Sequence, residues 1–293
     1  MKVDFHVHST ASDGSYRPDA IARMTDGFSY AALTDHDTCE GAAAFLGEPH
    51  SGGACRRVAG IELSIDPGEG FDMFHLLGLG IDPDDAGLRE FRRRILAARE
   101  ARNAAIFENF AKRGILLEND LRVERKDKIL ARPHFAKWLV RHRFAESVRD
   151  AFAKYLLPES PAETNCYVEG WHPAQEEAFA VVHAAGGVCM MAHPKFWRSE
   201  WKVSGCDFST AEKNLVALKE KGLDGIEAVY QANSPGENAV FTDIADRHGF
   251  LKSAGSDFHG SNKPTVTIGM EVDESFIRPL TERLDIRFPE ARA

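Results

Sequence analysis

Long apolar segments are absent from this sequence. Its 293 residues contain no uninterrupted apolar run of about 18 residues, the length that a membrane-spanning helix requires. The first residues carry charge, at Lys2 and Asp4, and lack the apolar core of a secretory signal. These absences predict a cytoplasmic protein that has no place in a membrane.

Cysteine and basic residues are also scarce. The five cysteines are odd in number, scattered and without a CxxC pair, as expected for reduced thiols in a cytoplasm. Basic residues number 36 against 45 acidic ones, and the net charge of -9 argues against nucleic acid or an anionic membrane as a partner. With 43% apolar and 28% charged residues, the composition is that of an ordinary globular chain.

Short apolar strands alternate with helical segments along most of the chain. Seven strands are predicted, at residues 2–5, 30–34, 57–63, 74–80, 188–192, 225–230 and 250–254. Most of them are followed by a helical segment. This alternation is typical of an α/β barrel of the TIM type, here a (β/α)7 barrel.

The third and fourth predicted strands are too close in sequence for a parallel crossover. Roughly ten residues separate them, including Gly68 and Gly70, and a connection of that length suits an antiparallel hairpin. A hairpin would bring His75, at the start of the fourth strand, beside Glu62, at the end of the third.

Residues 88–157 differ in character from the rest of the chain. Apolar residues such as Phe91 and Ile95 recur there at helical spacing, with arginines largely between them. So long a helical stretch exceeds what one barrel connection needs. The sequence therefore predicts a barrel made of residues 1–87 and 158–293, with an inserted helical lid subdomain at 88–157.

Ionisable side chains lie at the ends of the predicted strands and shortly after them. Barrel enzymes build their active sites at the carboxyl ends of the strands. Nine residues are therefore predicted to converge on one face: His6, His8, Asp13, His36, Glu62, His75, His193, Asp257 and His259. Carboxylates that close together would repel one another unless cations lay between them.

Imidazole and carboxylate ligands in one cluster favour Zn, Mn or Fe over Ca. His6 and His8 are two apart in a strand, so they point to the same face and could bind one ion. Glu62 has two oxygens and is the best candidate to bridge two ions. The sequence thus predicts two to three divalent metal ions.

Seven short motifs resemble those of the PHP (polymerase and histidinol phosphatase) family of metal-dependent phosphoesterases. They are Asp4-Phe5-His6-Val7-His8, Ser12-Asp13-Gly14, Thr34-Asp35-His36-Asp37, Gly60-Ile61-Glu62, His75-Leu76-Leu77-Gly78, Ala192-His193-Pro194 and Gly255-Ser256-Asp257-Phe258-His259. They occur in family order across nearly the whole chain. The similarity is greatest to stand-alone members with a helical insertion, which include nucleotide bisphosphate phosphatases and a cyclic phosphate dihydrolase.

The resemblance implies a distorted barrel with a trinuclear metal site. Three ligand sets follow from the motifs: His6, His8, Glu62 and Asp257; Glu62, His75 and His193; and Asp13, His36 and His259. Asp257 would thereby serve catalysis as well as metal binding. Three divalent ions against three carboxylates would leave a positive site, suited to a phosphate group and to activating a water molecule.

Basic residues outside the metal cluster are predicted to contact substrate. Residues 132–135 resemble a family segment that folds over the site; Arg132 would grip phosphate and His134 would protonate the leaving oxygen. Lys195 and Arg198, in the loop after the fifth strand, would hold a second anionic group. That loop departs from the Gly-Arg-Tyr type of segment in many relatives, which bears on the substrate rather than on the metals.

Three further residues are expected to have structural roles. Asp35 and Asp37 are expected to orient neighbouring groups instead of binding metal. His183, flanked by alanines in a helix, is expected to pack in the core.

The favoured function is hydrolysis of phosphate esters of a small sugar phosphate or nucleotide, such as a bisphosphate or a cyclic phosphate. One alternative is a 3′-5′ exonuclease on short oligonucleotides, with Trp197 and Trp201 stacking bases, against which the acidic balance argues. A second is a non-catalytic metal-binding module, although every ligand position is filled. Amide or lactone hydrolysis would require a bridging lysine that is not evident. The sequence leaves the oligomeric state open.

Overall fold

The fold is seen in a computed structural model, which describes residues 1–66, 68, 73–117, 121, 130–196 and 208–287. The chain forms two compact units. The first combines Met1–Phe91 with His172–Ala293, and the second is Arg92–Trp171. Among the described helices, none combines the length and the apolar character needed to cross a membrane.

The first unit is built on one eight-stranded sheet of the described residues. Its strands are β1 (Lys2–Val7), β2 (Tyr30–Leu33), β3 (Arg56–Ile65), β4 (Phe74–Leu79), β5 (Val188–Met191), β6 (Gly225–Tyr230), β7 (Leu251–Gly255) and β8 (Met270–Glu271). The sheet order is β7-β6-β5-β4-β3-β2-β1-β8. The predicted α/β barrel is confirmed.

The sheet closes between β1 and the segment that follows β7. Backbone bonds from His8 N–H to the Phe258 carbonyl and from Asp257 N–H to the His6 carbonyl, each 2.9 Å, join β1 to the segment that follows β7. A parallel bridge between Val7 and Phe258 lies in the same place. The barrel therefore closes through the segment that carries Asp257 and His259.

The predicted hairpin between β3 and β4 is confirmed. The two strands pair antiparallel, with Glu62 opposite Leu77 and Ser64 opposite His75. β4 is also antiparallel to β5, and the remaining pairs among β1 to β7 are parallel. One reversed strand distorts the barrel, and it brings His75 to the end of the sheet where Glu62 lies.

The prediction of seven strands was one short. The additional strand, β8, pairs antiparallel with the start of β1, where Val3 faces Met270. It contains two residues, which is too few to show an alternating pattern in a sequence.

Helices cover the outside of the first unit. They are α1 (Pro18–Met24), α2 (Ala42–Leu46), α6 (Gln175–Ala184), α7 (Phe208–Lys221), α8 (Pro235–His248) and α9 (Glu274–Arg287). The ends of α8 are set by identifiable residues. Ser234 accepts the Glu237 N–H, Pro235 occupies the first turn, and Gly249 ends the helix at a φ of 64°.

Residues of β1 alternate between two environments. Val3 and Phe5 belong to an apolar cluster that includes Ile277 and Leu280 of α9. Asp4 and His6, one residue out of phase, are also completely buried, and their side chains bond to polar partners. Since successive side chains of a strand face opposite sides, apolar packing against α9 directs His6 toward the barrel interior.

The second unit is helical. α3 (Ala86–Lys112) leads into it from the first unit, and α4 (Arg132–Arg141), α5 (Val148–Ala151) and a π-helical turn at Phe152–Leu156 follow. Ile106, Phe110, Phe135 and Leu139 are buried in its core, and so is Cys166. The unit extends beyond the predicted limit of residue 157 because the segment around Cys166 packs into that core, and the Cys166 N–H donates to the Tyr155 carbonyl.

Candidate metal centre

All nine predicted ligands belong to the first unit and lie at one end of its barrel. His6 is in β1, Glu62 in β3 and His75 in β4. The others lie in the segments that follow strands: His8 and Asp13 after β1, His36 after β2, His193 after β5, and Asp257 and His259 after β7. The structure brings these nine side chains into one cluster.

Glu62 lies at the middle of the cluster and is 1% exposed. Its Oε1 atom lies 2.9 Å from His75 Nδ1, 3.2 Å from His193 Nε2 and 3.3 Å from His6 Nε2. Its Oε2 atom lies 3.0 Å from His36 Nδ1 and 3.1 Å from His8 Nε2. One carboxylate thus faces five imidazoles from four different strands or their ends.

The other two carboxylates lie on either side of His259. Asp257 Oδ1 is 3.3 Å from His259 Nδ1, 3.4 Å from His8 Nε2 and 3.6 Å from His6 Nε2. Asp13 Oδ1 is 3.1 Å from His259 Nε2, and Asp13 Oδ2 is 3.9 Å from His36 Nε2. Both carboxylates therefore share imidazole neighbours with Glu62.

Four overlapping groups in this cluster have the donor spacing of a metal site. In each group the donor atoms lie within 4.8 Å of one another. The groups are His8, Asp13, His36 and His259; His6, Glu62 and His193; His6, His8 and Asp257; and His36, Glu62 and His75. Because His6, His8, His36 and Glu62 each belong to two of these groups, the four groups form one continuous cluster.

Buried polar atoms in the cluster test whether metal ions would fit. Six of them make no hydrogen bond within the described part of the chain: His6 Nε2, both ring nitrogens of His8, His36 Nδ1, Glu62 Oε2 and His75 Nδ1. A buried polar atom left in this state is costly, and native proteins seldom tolerate one. Each neutral imidazole offers one lone pair to a cation, so divalent ions could satisfy one nitrogen of each ring as well as Glu62 Oε2, and the residues fit a metal centre.

Electrostatics agree with that fit. Burial alone would raise the pKa of Glu62, but the imidazoles of His36 and His75 hold it well below its usual range. Burial lowers the pKa of His6 and His8, yet facing carboxylates raise both, that of His8 to about 9. Without metal, the carboxylates thus favour protonated rings at His6 and His8, where a divalent ion would otherwise supply the positive charge.

Backbone strain marks the same place. Among the described non-glycine residues, four have left-handed φ values, and three of these belong to the site: Asp37 at 54°, His193 at 28° and Asp257 at 58°. Such conformations cost about 1–3 kcal/mol each and persist where surrounding contacts enforce them. Contacts within the site hold these three residues in place.

Asp35 and Asp37 orient neighbours, as predicted. Asp35 accepts hydrogen bonds from the Ser9 N–H at 2.7 Å and from the hydroxyls of Ser9 and Ser12, each at 2.6 Å. Asp37 accepts the Ser64 N–H at 3.3 Å, two residues after Glu62 on β3. Neither carboxylate is a member of the metal-binding groups.

Sequence reasoning missed four polar residues that support the cluster. Asp4 accepts the Ser256 hydroxyl at 2.6 Å, and Glu227 Oε1 lies 3.0 Å from His6 Nδ1. Tyr230 donates its hydroxyl to Asp257 Oδ2 at 3.0 Å, and Lys263 Nζ lies 2.6 Å from the same oxygen. The only available signal was an acidic residue inside an apolar strand, at Asp4 and at Glu227.

The predicted substrate residues are distributed between both units. In the second unit, the Arg132 guanidinium lies 5.5 Å from the Tyr167 ring centre, and His134 Nδ1 accepts the Ala131 N–H at 2.9 Å. In the first unit, Lys195 forms an ion pair of 2.8 Å with Glu237. Arg198, Trp197 and Trp201 lie outside the described residues.

The prediction for His183 was wrong. Its side chain is 35% exposed, and its Nε2 atom lies 2.7 Å from Asp224 Oδ2, which also accepts the Cys189 N–H. Arg283 pairs with the other oxygen of Asp224 at 3.2 Å. Asp224 precedes β6 in the chain and lies beside α6 only in the folded protein. This group is an ion-pair cluster away from the centre.

No protein-family model matches the chain, but individual proteins are similar to it over most of its length. The 3′,5′-nucleoside bisphosphate phosphatase of Chromobacterium violaceum is 29% identical over 293 residues, 97% of each chain. The 5′-3′ exoribonuclease Rnm of Escherichia coli is 32% identical over 264 residues, 87% of this chain and 84% of that one. The phosphoribosyl 1,2-cyclic phosphate 1,2-diphosphodiesterase of Eggerthella lenta is 27% identical over 278 residues, 93% of this chain and 99% of that one.

Solved structures agree in fold. A metal-dependent phosphoesterase from Bifidobacterium adolescentis superposes with a TM-score of 0.76 at 27% identity, over 96% of each chain. An amidohydrolase from Chromobacterium violaceum, solved with sulfate and without metal, gives a TM-score of 0.78 at 28% identity, over 97% of this chain and 96% of that one.

Proposed function

This chain belongs to the PHP family of metal-dependent phosphoesterases, and we propose that its centre holds three divalent ions and acts on a small phosphorylated metabolite. The observation that carries the proposal is the set of six buried donor atoms without hydrogen bonds, gathered around Glu62. Enzymatic relatives and a complete ligand set together leave no support for a non-catalytic metal-binding module. The four described cysteines are free thiols, which supports a reducing cytoplasm as the location.

The proposed ligand sets follow the family motifs. His6, His8, Glu62 and Asp257 would hold one ion; Glu62, His75 and His193 a second; and Asp13, His36 and His259 a third. When bound, Mn, Fe or Zn ions supply Lewis-acid activation of water and neutralise charge on phosphoryl oxygens. Burial lowers the pKa of His75 and His259, which keeps these rings neutral, the form that binds metal.

Partial exposure of the ligands supports an approach of substrate from one side. The side chains of His6, His8 and Glu62 are at most 1% exposed, whereas those of His36 and His75 are 18% and 32% exposed. The centre is therefore closed beneath His6 and His8 and open toward His36 and His75. A phosphate group would enter from the open side.

Basic residues would position the substrate. We propose that residues 88–157 act as a lid. From this lid Arg132 would bind phosphate and His134 would protonate the leaving oxygen. Because His134 Nδ1 accepts a backbone N–H, the neutral ring carries its proton on Nε2, the atom that would face the leaving group. Lys195 would release Glu237 and bind an anionic group of the substrate, and Arg198 would bind the same group.

The names of the relatives bear on the substrate. One is a bisphosphate phosphatase and another a cyclic phosphate diphosphodiesterase, and both names describe small phosphorylated compounds. Arg132, Lys195 and Arg198 supply more positive charge than one metal-bound phosphate needs, which supports a bisphosphate or a cyclic phosphate. The 5′-3′ exoribonuclease relatives keep a nuclease as the second candidate. The direction in their name is opposite to the 3′-5′ direction of our sequence-based alternative.

Metal content provides the first test. Protein purified without chelator, or reconstituted with Mn, Fe or Zn, is expected to hold two to three equivalents of metal per chain. Metal bound only by the folded state also stabilises it, so the melting temperature is expected to rise on reconstitution. Elemental analysis and thermal unfolding measure the two effects. One equivalent or none after reconstitution would contradict the multinuclear centre.

Substrate choice provides the second test. We expect higher kcat/KM for a nucleoside 3′,5′-bisphosphate or for a five-membered cyclic phosphate of a ribose phosphate than for a plain monophosphate. A single-phosphate substrate leaves the proposed second anion site empty. A short oligonucleotide in the same set of substrates tests the nuclease alternative. If the oligonucleotide had the highest kcat/KM, the small-metabolite proposal would be wrong.

A further inference from the structure

Glu227 is a buried carboxylate that touches two proposed ligands at once. It lies in β6 and is completely inaccessible to solvent. Its Oε1 atom lies 3.0 Å from His6 Nδ1, and its Oε2 atom accepts the backbone N–H of His193 at 2.7 Å. It thus links β1 to the end of β5 through a single side chain.

An irregularity in β6 explains how Glu227 and Tyr230 both reach the centre. Residues three apart in a regular strand point to opposite faces. Between Glu227 and Val229 the pairing of β6 with β7 shifts register, since Glu227 faces Ser253 and Val229 faces Ala254. The extra residue reverses the alternation, as a bulge does. Glu227 consequently contacts His6 while Tyr230 donates to Asp257.

Gly255 makes room for this contact. A Cβ atom at position 255 would overlap Glu227 Oε1 and would lie 2.5 Å from His6 Cβ. Real side chains do not approach that closely, so any larger residue in this part of β7 would displace either Glu227 or His6. Two independent features of the fold, the register shift and the glycine, therefore serve the same carboxylate.

The hydrogen bond to Glu227 selects the form of the His6 ring. A carboxylate only accepts, so in the neutral ring, the form that binds metal, His6 Nδ1 carries the proton and Nε2 keeps the lone pair. That Nε2 atom makes no hydrogen bond among the described residues and faces Glu62 Oε1 at 3.3 Å and Asp257 Oδ1 at 3.6 Å. Glu227 thus directs the lone pair of His6 to the proposed metal position.

The second bond of Glu227 holds a strained backbone. His193 has a φ of 28°, which a residue with a side chain seldom adopts. Glu227 accepts its N–H, and in this conformation His193 Nε2 lies 3.2 Å from Glu62 Oε1. Loss of this acceptor would leave a buried N–H unsatisfied and would free the backbone to relax away from the centre.

We infer that Glu227 is a positioning residue of the metal centre, which sets the tautomer of His6 and the backbone of His193 together. The inference rests on the metal centre proposed above. It assigns to Glu227 a contribution to metal affinity although Glu227 itself binds no metal.

The variant Glu227→Gln tests the inference with little change in shape. A glutamine has one accepting oxygen and one donating nitrogen, so it can accept only one of the two bonds. If its oxygen keeps His193, its amide donates to His6 Nδ1 and drives the ring proton to Nε2. We expect the dissociation constant of at least one metal equivalent to rise by about 10- to 100-fold. Gly255→Ala is expected to act in the same direction.

Metal binding is measured on the full chain by equilibrium dialysis against Zn²⁺ or Mn²⁺, with elemental analysis. Glu274→Gln makes the same chemical change at a surface position on α9, where the side chain is 70% exposed, and is expected to match wild type. Absence of metal from wild type would contradict the proposed centre. Wild-type binding with equal affinity in Glu227→Gln would overturn the role of Glu227 alone.

A measurement on wild type decides the matter if the variants do not fold. In zinc-loaded protein labelled with ¹⁵N-histidine, the ring signals distinguish a protonated nitrogen from a metal-bound one. We expect the His6 ring, assigned through correlations to its own backbone, to carry its proton on Nδ1. A metal-bound or unprotonated Nδ1 on His6 would overturn the inference.

Discussion

Replacing Glu62 with Gln is expected to lower kcat/KM by roughly three orders of magnitude and to remove at least one metal equivalent. Both oxygens of Glu62 face imidazoles, at distances of 2.9 to 3.3 Å. Glutamine fills the same volume, but its amide nitrogen cannot bind a cation and its charge is zero. Two proposed ions lose a shared ligand at once, so no other single substitution in the centre is expected to cost as much.

Steady-state kinetics and elemental analysis of the same preparation check this expectation. Glu271→Gln provides the matched control, because the Glu271 side chain is 76% exposed on β8 and lies away from the centre. Circular dichroism establishes that both variants fold. A Glu62→Gln enzyme with wild-type metal content and activity would show that the cluster does not bridge metal ions through Glu62.

Replacing Arg132 with Met is expected to lower kcat/KM by roughly 30- to 900-fold while metal content stays unchanged. The expectation corresponds to about 2–4 kcal/mol, the cost of breaking a buried contact between charged groups. Methionine keeps an unbranched stem of similar length but cannot donate two hydrogen bonds to a phosphate. Arg132 begins α4 and lies over the Tyr167 ring, so its guanidinium is held in place before a substrate binds.

Arg141→Met, at the other end of the same helix and exposed, is the matched control and is expected to keep wild-type kinetics. Kinetic constants for a bisphosphate and a monophosphate separate the two possible roles of Arg132. If Arg132 grips the second phosphate only, the loss appears with the bisphosphate alone. Unchanged kinetics on both substrates would show that Arg132 only packs on Tyr167.

Much of the barrel could be predicted because its signals are local. Apolar runs such as Tyr30–Leu33 and Val188–Met191 are short enough for strands and are followed by helical patterns. The hairpin of β3 and β4 followed from the length of one connection. β8 escaped prediction because two residues carry no periodicity, and its pairing with β1 depends on where the chain returns after β7.

The supporting residues could not be predicted in the same way. Lys263 is an ordinary loop lysine in the sequence, and only the fold places it 2.6 Å from Asp257 Oδ2. Tyr230 reads as a strand aromatic that would pack in a core. Its hydroxyl reaches Asp257 because the register shift in β6 changes the side to which it points. Contacts of this kind join residues that no sequence spacing relates.

The sequence by itself determined which imidazoles and carboxylates gather at one end of a barrel. This was possible because parallel strands of a barrel end on one face, so side chains at or after those ends are placed by topology, and the hairpin added His75. Only the tertiary structure decided that Glu62 faces five imidazoles, that His193 and Asp257 are held in strained conformations, and that Glu227 joins His6 to His193. These features depend on strand register and on close packing between strands far apart in the chain, which local patterns of residues do not encode.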